Sequence, residues 1–250
     1  MIPIPAKQRR KTGCGRFLIL ISALFLLFTA AVAVLPLLDA RHRVVIDPGH
    51  GGHDIGAAGV IEEIALTETT AGKLAALLET DGRFAVFLTR EPGSSASLSD
   101  RCRTAKIHRA DLMLSIHGNA AEDPSASGFE CCPAPPGRTH HAESLRFAAL
   151  LAARMADAGA SLRGENGIRY AYYAADGSKF FAESSDLTLR TESSFAVVDS
   201  SGCPAVLAEQ CFVTNAADVD RFGDEDGCAR AAEAYYLAIL DYFGEEFLSE

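Results

Sequence analysis

The sequence predicts an α/β domain with a largely parallel sheet, because short β-branched runs alternate with helical patterns along most of its 250 residues. Turn and ligand-type residues punctuate that alternation: Asp47-Pro48-Gly49-His50 follows one strand-like run, His117 ends another and Glu209 ends a third. In such folds ligand-binding groups gather at the carboxyl ends of strands. The length supports one compact domain plus a short appendage, since a single core stops growing beyond roughly 250–300 residues.

The appendage comes first. Lys7, Arg9, Arg10, Lys11 and Arg16 form a basic cluster ahead of an almost unbroken apolar run from Phe17 to Leu35. At ~1.5 Å per residue this run crosses a ~30 Å hydrocarbon core as a helix, and the basic cluster stays on the cytoplasmic side by the positive-inside tendency. The expected division is a cytoplasmic segment over 1–16, a single transmembrane signal anchor over 17–38 and an extracytoplasmic catalytic domain over 42–247. A cleaved signal peptide is the competing reading, with Ala31-Val32-Ala33 as its small-residue cleavage pattern.

Within the domain, Val44-Val45-Ile46 reads as a buried first strand stopped by Asp47-Pro48-Gly49. After a glycine-rich loop, Leu66, Thr70, Leu74, Leu77 and Leu78 recur near helical spacing between Glu63 and Glu79, and Asp81-Gly82 closes the segment. Phe84 to Thr89 reads as a strand, Leu98 to Arg109 as a short helix and Leu112 to Ile116 as a buried strand ending at His117. A further strand is expected over Phe129 to Cys132, and an amphipathic helix over Ala142 to Ala158, ended by Gly159. The polar and aromatic stretch from Gly164 to Ser194 lacks clear periodicity and reads mostly as loop. Ala205 to Ala208 is the last strand, and Asp226 to Phe243 the closing helix.

Composition narrows the function. Taking the five leading cations from the 23 Lys and Arg leaves 18 against 33 Asp and Glu. That balance repels nucleic acid, whose non-specific binding needs cations to neutralise phosphates. Cys102, Cys131, Cys132, Cys203, Cys211 and Cys228 follow the apolar run, so disulfides in an oxidising space and buried free thiols are both open. None has CxxC spacing, so sulfur is not expected to hold a metal.

His50, Glu63 and His117 are the type of set that holds a catalytic zinc, two imidazoles and a carboxylate with a fourth position left for water. Zinc lowers the pKa of that water to about 7 and polarises a carbonyl. Glu209 then suits the carboxylate that moves the water's proton to a leaving nitrogen. The HExxH pattern of zincin peptidases is absent.

The strings VVIDPGHGGHDIGA, EEIALTETTAGKLAALLE, LTR, SIHGNA and PAVLAEQCFVTN, in that order from Val44 to Asn215, resemble the zinc-dependent N-acetylmuramoyl-L-alanine amidases of the amidase-3 type. The resemblance implies an open twisted, mostly parallel sheet flanked by helices on both faces. It implies Zn2+ on His50, Glu63 and His117, Glu209 as general base, and peptidoglycan as substrate, cut between N-acetylmuramic acid and L-alanine. Glu63 rather than the adjacent Glu62 falls on the ligand position when the helix is counted back from Leu78 without a gap. Departures lie at Ala105-Lys106 and Gln210-Cys211, neither on a proposed ligand. Asp47 is expected either to orient a ligand histidine or to cap the Pro48-Gly49 turn. Arg90 is expected to ion-pair at the sheet edge, Asn119 to stabilise a turn, and His53, His140 and His141 to be surface residues. No long insertion appears between Glu130 and Glu209 that would offer a blocking helix.

Overall fold

The computed structural model describes residue 19, residues 21–29 and residues 40–246, and divides into two units, Met1–Ala40 and Arg41–Glu250. In the first, residues 21–29 are helical. No helix among the described residues is long and apolar enough to cross a membrane. The expected cytoplasmic segment over 1–16 and much of the expected anchor over 17–38 lie outside the described residues.

The second unit is built on strands β1 (His42–Pro48), β2 (Phe84–Leu88), β3 (Leu112–Asn119), β4 (Glu130–Pro133) and β7 (Ala205–Phe212). They form one sheet in the order β2-β1-β3-β7-β4. The first three pairs of neighbours in that order, up to β3 and β7, run parallel, and β4 joins β7 antiparallel. The central strands are buried on both sides, which is why they read as continuous apolar runs rather than alternating ones.

Side chains of successive strand residues point to opposite faces, and the two faces carry different cover. Val44, Ile46, Leu114 and Val206 pack under three long helices, α1 (Glu63–Asp81), α3 (His141–Asp157) and α6 (Glu225–Phe243), through residues such as Leu74, Leu151 and Ile239. Val45, Met113 and Leu207 face the other way, toward the short helices α2 (Leu98–His108) and α4 (Ala196–Ser200) and a hairpin. That hairpin is β5 (Arg169–Tyr173) and β6 (Lys179–Glu183), paired antiparallel. A short helix, α5 (Ala216–Phe222), precedes α6. The α/β class with helices on both faces is therefore observed.

Local chemistry sets several ends. Gly82 terminates α1 in the left-handed region, with φ of 75°. Ser97 opens α2 by accepting the Asp100 N–H, and Asp224 opens α6 by accepting the Gly227 N–H.

Two expectations need correction. The stretch from Gly164 to Ser194 holds the β5–β6 hairpin, whose Tyr- and Phe-bearing strands flank an Asp176-Gly177 turn. That is a hairpin signal in its own right, obscured because both faces of the short strands carry aromatic residues. Glu209 also lies within its strand rather than at its end, because Gln210, Cys211 and Phe212 are buried and continue β7.

Candidate metal centre

The centre is assembled from the exits of β1 and β3 and the first turn of α1. His117 on β3 and Glu209 on β7 are direct neighbours in the parallel register, and that register slips between His117 and Asn119. His50 follows β1 in a glycine-rich loop and takes φ of 60°, a conformation that costs a non-glycine residue energy and persists only where neighbours impose it.

The neighbours are two buried arginines. Arg90 donates from Nε to the Pro48 carbonyl at 3.0 Å and from Nη2 to the Gly49 carbonyl at 2.9 Å, while its Nη1 pairs with Glu68. Arg101 donates from Nη1 to the Pro48 carbonyl at 2.7 Å and from Nη2 to the His50 carbonyl. Three consecutive carbonyls are thus gripped from the side chains of two other elements. Arg101 is in turn fixed by Asp47 at 2.6 Å, and Asp47 also accepts from Thr89 and, at 2.6 Å, from Ser115. Asp47 therefore neither orients a histidine nor caps the turn: it anchors the arginine that shapes the ligand loop.

The histidine-orienting role falls to Asp54, which the sequence reading passed over. Its Oδ2 lies 3.0 Å from His50 Nδ1, which leaves Nε2 turned toward Glu63 Oε1, also at 3.0 Å. His117 Nδ1 lies 3.0 Å from the same oxygen. One ligand atom from each of His50, Glu63 and His117 falls within 4.8 Å of the other two, the spacing a single metal ion requires. The donor set of two imidazoles and one carboxylate fits a divalent transition metal.

Glu63 is buried and held on all sides. Its Oε1 accepts the Gly118 N–H at 3.0 Å, and its Oε2 accepts the Ala57 N–H at 2.9 Å. Burial pushes its pKa up, but hydrogen bonds from His117 and His50 prevail and keep it well below the usual carboxylate range. The same hydrogen bond to Glu63 is the largest influence on His50, whose pKa is raised to about 9. Glu62, by contrast, is exposed and supplies no side-chain cap to α1.

Two glycines are required by contact with these side chains. A Cβ on Gly49 would stand 2.4 Å from the His117 ring, and one on Gly56 would stand 2.6 Å from Glu63 Oε2. Both clashes exceed what a packed site absorbs.

The cluster opens into a cleft of about 1030 Å³ that also receives Glu209, Asn119, Tyr173 and Lys179. Among the described residues no hydrogen bond or ion pair engages the Glu209 carboxylate, and burial raises its pKa above the ordinary value. Asn119 donates to Glu130 on β4 and accepts the Ala120 N–H at 2.9 Å, so it ties the turn after β3 to the neighbouring strands. His53 is exposed, and His141 Nδ1 lies 2.8 Å from the Ala134 carbonyl; neither joins the cluster. All six cysteines of the domain are buried free thiols, with no disulfide among the described residues.

The chain belongs to the N-acetylmuramoyl-L-alanine amidase family, whose amidase-3 model matches residues 44–241. Among its relatives is the uncharacterized protein YqiI of Bacillus subtilis, 30% identical over 207 residues, with 81% of this chain and 85% of the relative covered. N-acetylmuramoyl-L-alanine amidase LytC of Bacillus subtilis is 29% identical over 201 residues, which make up 80% of this chain and 35% of LytC. The chain thus spans about a third of LytC's length. The crystal structure of an N-acetylmuramoyl-L-alanine amidase from Clostridium difficile 630 is also similar. It superposes with a TM-score of 0.67 at 26% identity, covering 83% of this chain and all of that one.

Proposed function

We propose that this protein is a zinc hydrolase that cleaves the amide bond between N-acetylmuramic acid and the L-alanine of the stem peptide in peptidoglycan. The observation that carries the reading is the convergence of His50, Glu63 and His117 on one point, beside a carboxylate, Glu209, that has no hydrogen-bond or ion-pair partner among the described residues. Membership of the amidase family supplies the substrate.

When bound, zinc makes water acidic enough to attack near neutral pH and polarises the carbonyl under attack. The chain supplies the rest. His50, Glu63 and His117 provide the three protein ligands, and Asp54 fixes the His50 ring so that Nε2 faces inward. Glu209 takes the attacking water's proton on a carboxylate oxygen and passes it to the departing nitrogen. The carbon–nitrogen bond breaks as the carbon–oxygen bond forms, leaving a lactyl carboxylate and a free L-alanine amine. A carboxylate whose pKa burial has raised is better matched to receive and return a proton than one locked in ion pairs.

The proposal extends to location. The basic cluster and the apolar run from Phe17 to Leu35 support a single-pass anchor over 17–38, with the catalytic domain on the wall side of the membrane. Fractionation of cells carrying the full chain checks this: recovery in the membrane fraction, released by detergent and not by salt, is the expected result.

The activity is tested by digesting purified peptidoglycan. New L-alanine amino termini are expected, and release of reducing sugars instead would reject the reading.

A further inference from the structure

Three ionisable side chains stand in a row across one face of the sheet. His117 on β3 and Glu209 on β7 are partners in the parallel register, and Glu130 on β4 is the antiparallel partner of Glu209. Directly opposed residues share a face, and like charges placed so repel. The two carboxylates are nevertheless treated differently. Glu130 is buried and fully engaged: its Oε2 accepts from Arg169 Nη1 at 3.0 Å, Arg163 Nε stands 3.4 Å from its Oε1, and Asn119 donates to that same oxygen. Among the described residues Glu209 has no such partner.

The topology brings the arginines close. The Phe129 N–H donates to the Ser161 carbonyl and the Cys131 N–H to that of Gly167, both at 2.8 Å, so residues 161–163 and 167–169 run along the edge of β4 that faces away from β7. Arg163 and Arg169 therefore reach in from outside, and Glu130 lies between them and Glu209. Neighbouring strands are about 4.7–4.9 Å apart, which puts the Glu209 backbone about 10 Å from that outer segment. An arginine covers the distance: the Arg163 guanidinium already crosses β4 and lies 4.6 Å from the centre of the Phe212 ring, at the end of β7. Arg169 is shared between Glu130 and Glu183, whose Oε1 lies 3.3 Å from its Nε.

Resting on the amidase reading, we infer that Glu130 is a positioning residue that captures Arg163 and Arg169 and so keeps both guanidiniums off Glu209. The consequence lies in the proton path. A guanidinium bound to Glu209 would occupy the oxygen that takes the water's proton, and that pair would have to break in every turnover. Glu130 does not line the cleft, so its effect passes through the arginines rather than through contact with substrate.

The test compares wild type, Glu130→Gln and a triple variant combining Glu130→Gln, Arg163→Gln and Arg169→Gln, by kinetics on a soluble muropeptide, zinc content and crystal structure. In Glu130→Gln, kcat is expected to fall about 10- to 100-fold, the cost of breaking a charge-assisted hydrogen bond in each turnover, with KM and zinc content unchanged. Its crystal structure should place a guanidinium nitrogen within hydrogen-bonding distance of Glu209. The triple variant should recover most of the lost kcat, which a merely structural role for Glu130 does not produce, because each further substitution only removes contacts. Unchanged kcat in Glu130→Gln, loss of its zinc, no guanidinium on Glu209, or a triple variant no faster than the single one overturns the assignment. If Glu130→Gln does not fold, Glu130→Asp, which keeps the charge but shortens its reach, takes its place in both variants and is held to the same rescue. The crystal structure needs no turnover: a guanidinium on Glu209 in the variant, with a wild type that cuts no muropeptide, supports the capture and overturns the amidase reading alone. Wild-type cleavage without rescue overturns the capture alone.

Discussion

On the β1 and α1 side of the cleft, Glu63 accepts two backbone N–H groups and faces two imidazoles; on the β7 side, Glu209 has no hydrogen-bond partner among the described residues. Glu63 is buried and Glu209 half-buried in the cleft wall, and their proton affinities move in opposite directions, Glu63 down and Glu209 up. The difference lies in the donors around them, not in the side chains. A metal ligand has to present one oxygen at one place, which a saturated hydrogen-bond shell enforces. A proton carrier has to exchange partners during the reaction, which such a shell would prevent. Pairs of carboxylates pushed apart in this way mark separate roles in a single site.

The contrast is broken most severely by Glu63→Gln. Half of the amide is a donor, so one of the Ala57 and Gly118 N–H groups meets another donor, and the charge that both imidazoles meet is lost. We expect no bound zinc, no wall cleavage, and a stability loss of about 1–3 kcal/mol from unsatisfied buried groups, read by denaturant unfolding. Next comes Glu209→Gln, which has no shell to disrupt: wall cleavage should fall about 10²- to 10⁴-fold, the scale of a lost general base, with the unfolding midpoint unchanged. Asp54→Asn sharpens the comparison from outside. Its side chain is 69% exposed, so zinc affinity should weaken by only about tenfold, the lower end for a ligand-orienting group, as measured by competition with a chelator. The smallest effect belongs to Glu62→Gln. This exposed neighbour of Glu63 should leave zinc content and cleavage intact and shift stability by no more than about 0.5 kcal/mol.

What the sequence revealed follows the reach of local patterns. The strands β1, β3 and β7 and the helices α1, α3 and α6 announce themselves because buried parallel strands and long amphipathic helices have strong signatures. His50, Glu63 and His117 are legible as a set of ligand types near element boundaries, and the resemblance to the amidase family, counted back through α1 from Leu78, favours Glu63 over Glu62. Asp54 was not, because its service to His50 depends on the left-handed turn that folds the loop back on itself. The Asp47 role was missed for a related reason: its partner Arg101 sits on α2, more than fifty residues away, and only the packed fold brings them together. Lys179 and Tyr173 were hidden by the failure to recognise the hairpin, whose short strands carry aromatic residues on both faces.

The arginine-held loop also explains where folding energy is committed. Asp47 and Arg101 are both buried, and a charge left unpaired in such a place costs about 3–5 kcal/mol. The network therefore ties the stability of the β1 exit to the position of His50, whereas the β7 side leaves Glu209 free of any comparable constraint.

The division of labour between the two carboxylates is tested most directly by the zinc content of purified Glu209→Gln, measured beside wild type and Glu63→Gln by elemental analysis. About one zinc per chain is expected in wild type and in Glu209→Gln, and none in Glu63→Gln. Loss of zinc from Glu209→Gln, or its retention in Glu63→Gln, would contradict the assignment of ligand and proton carrier.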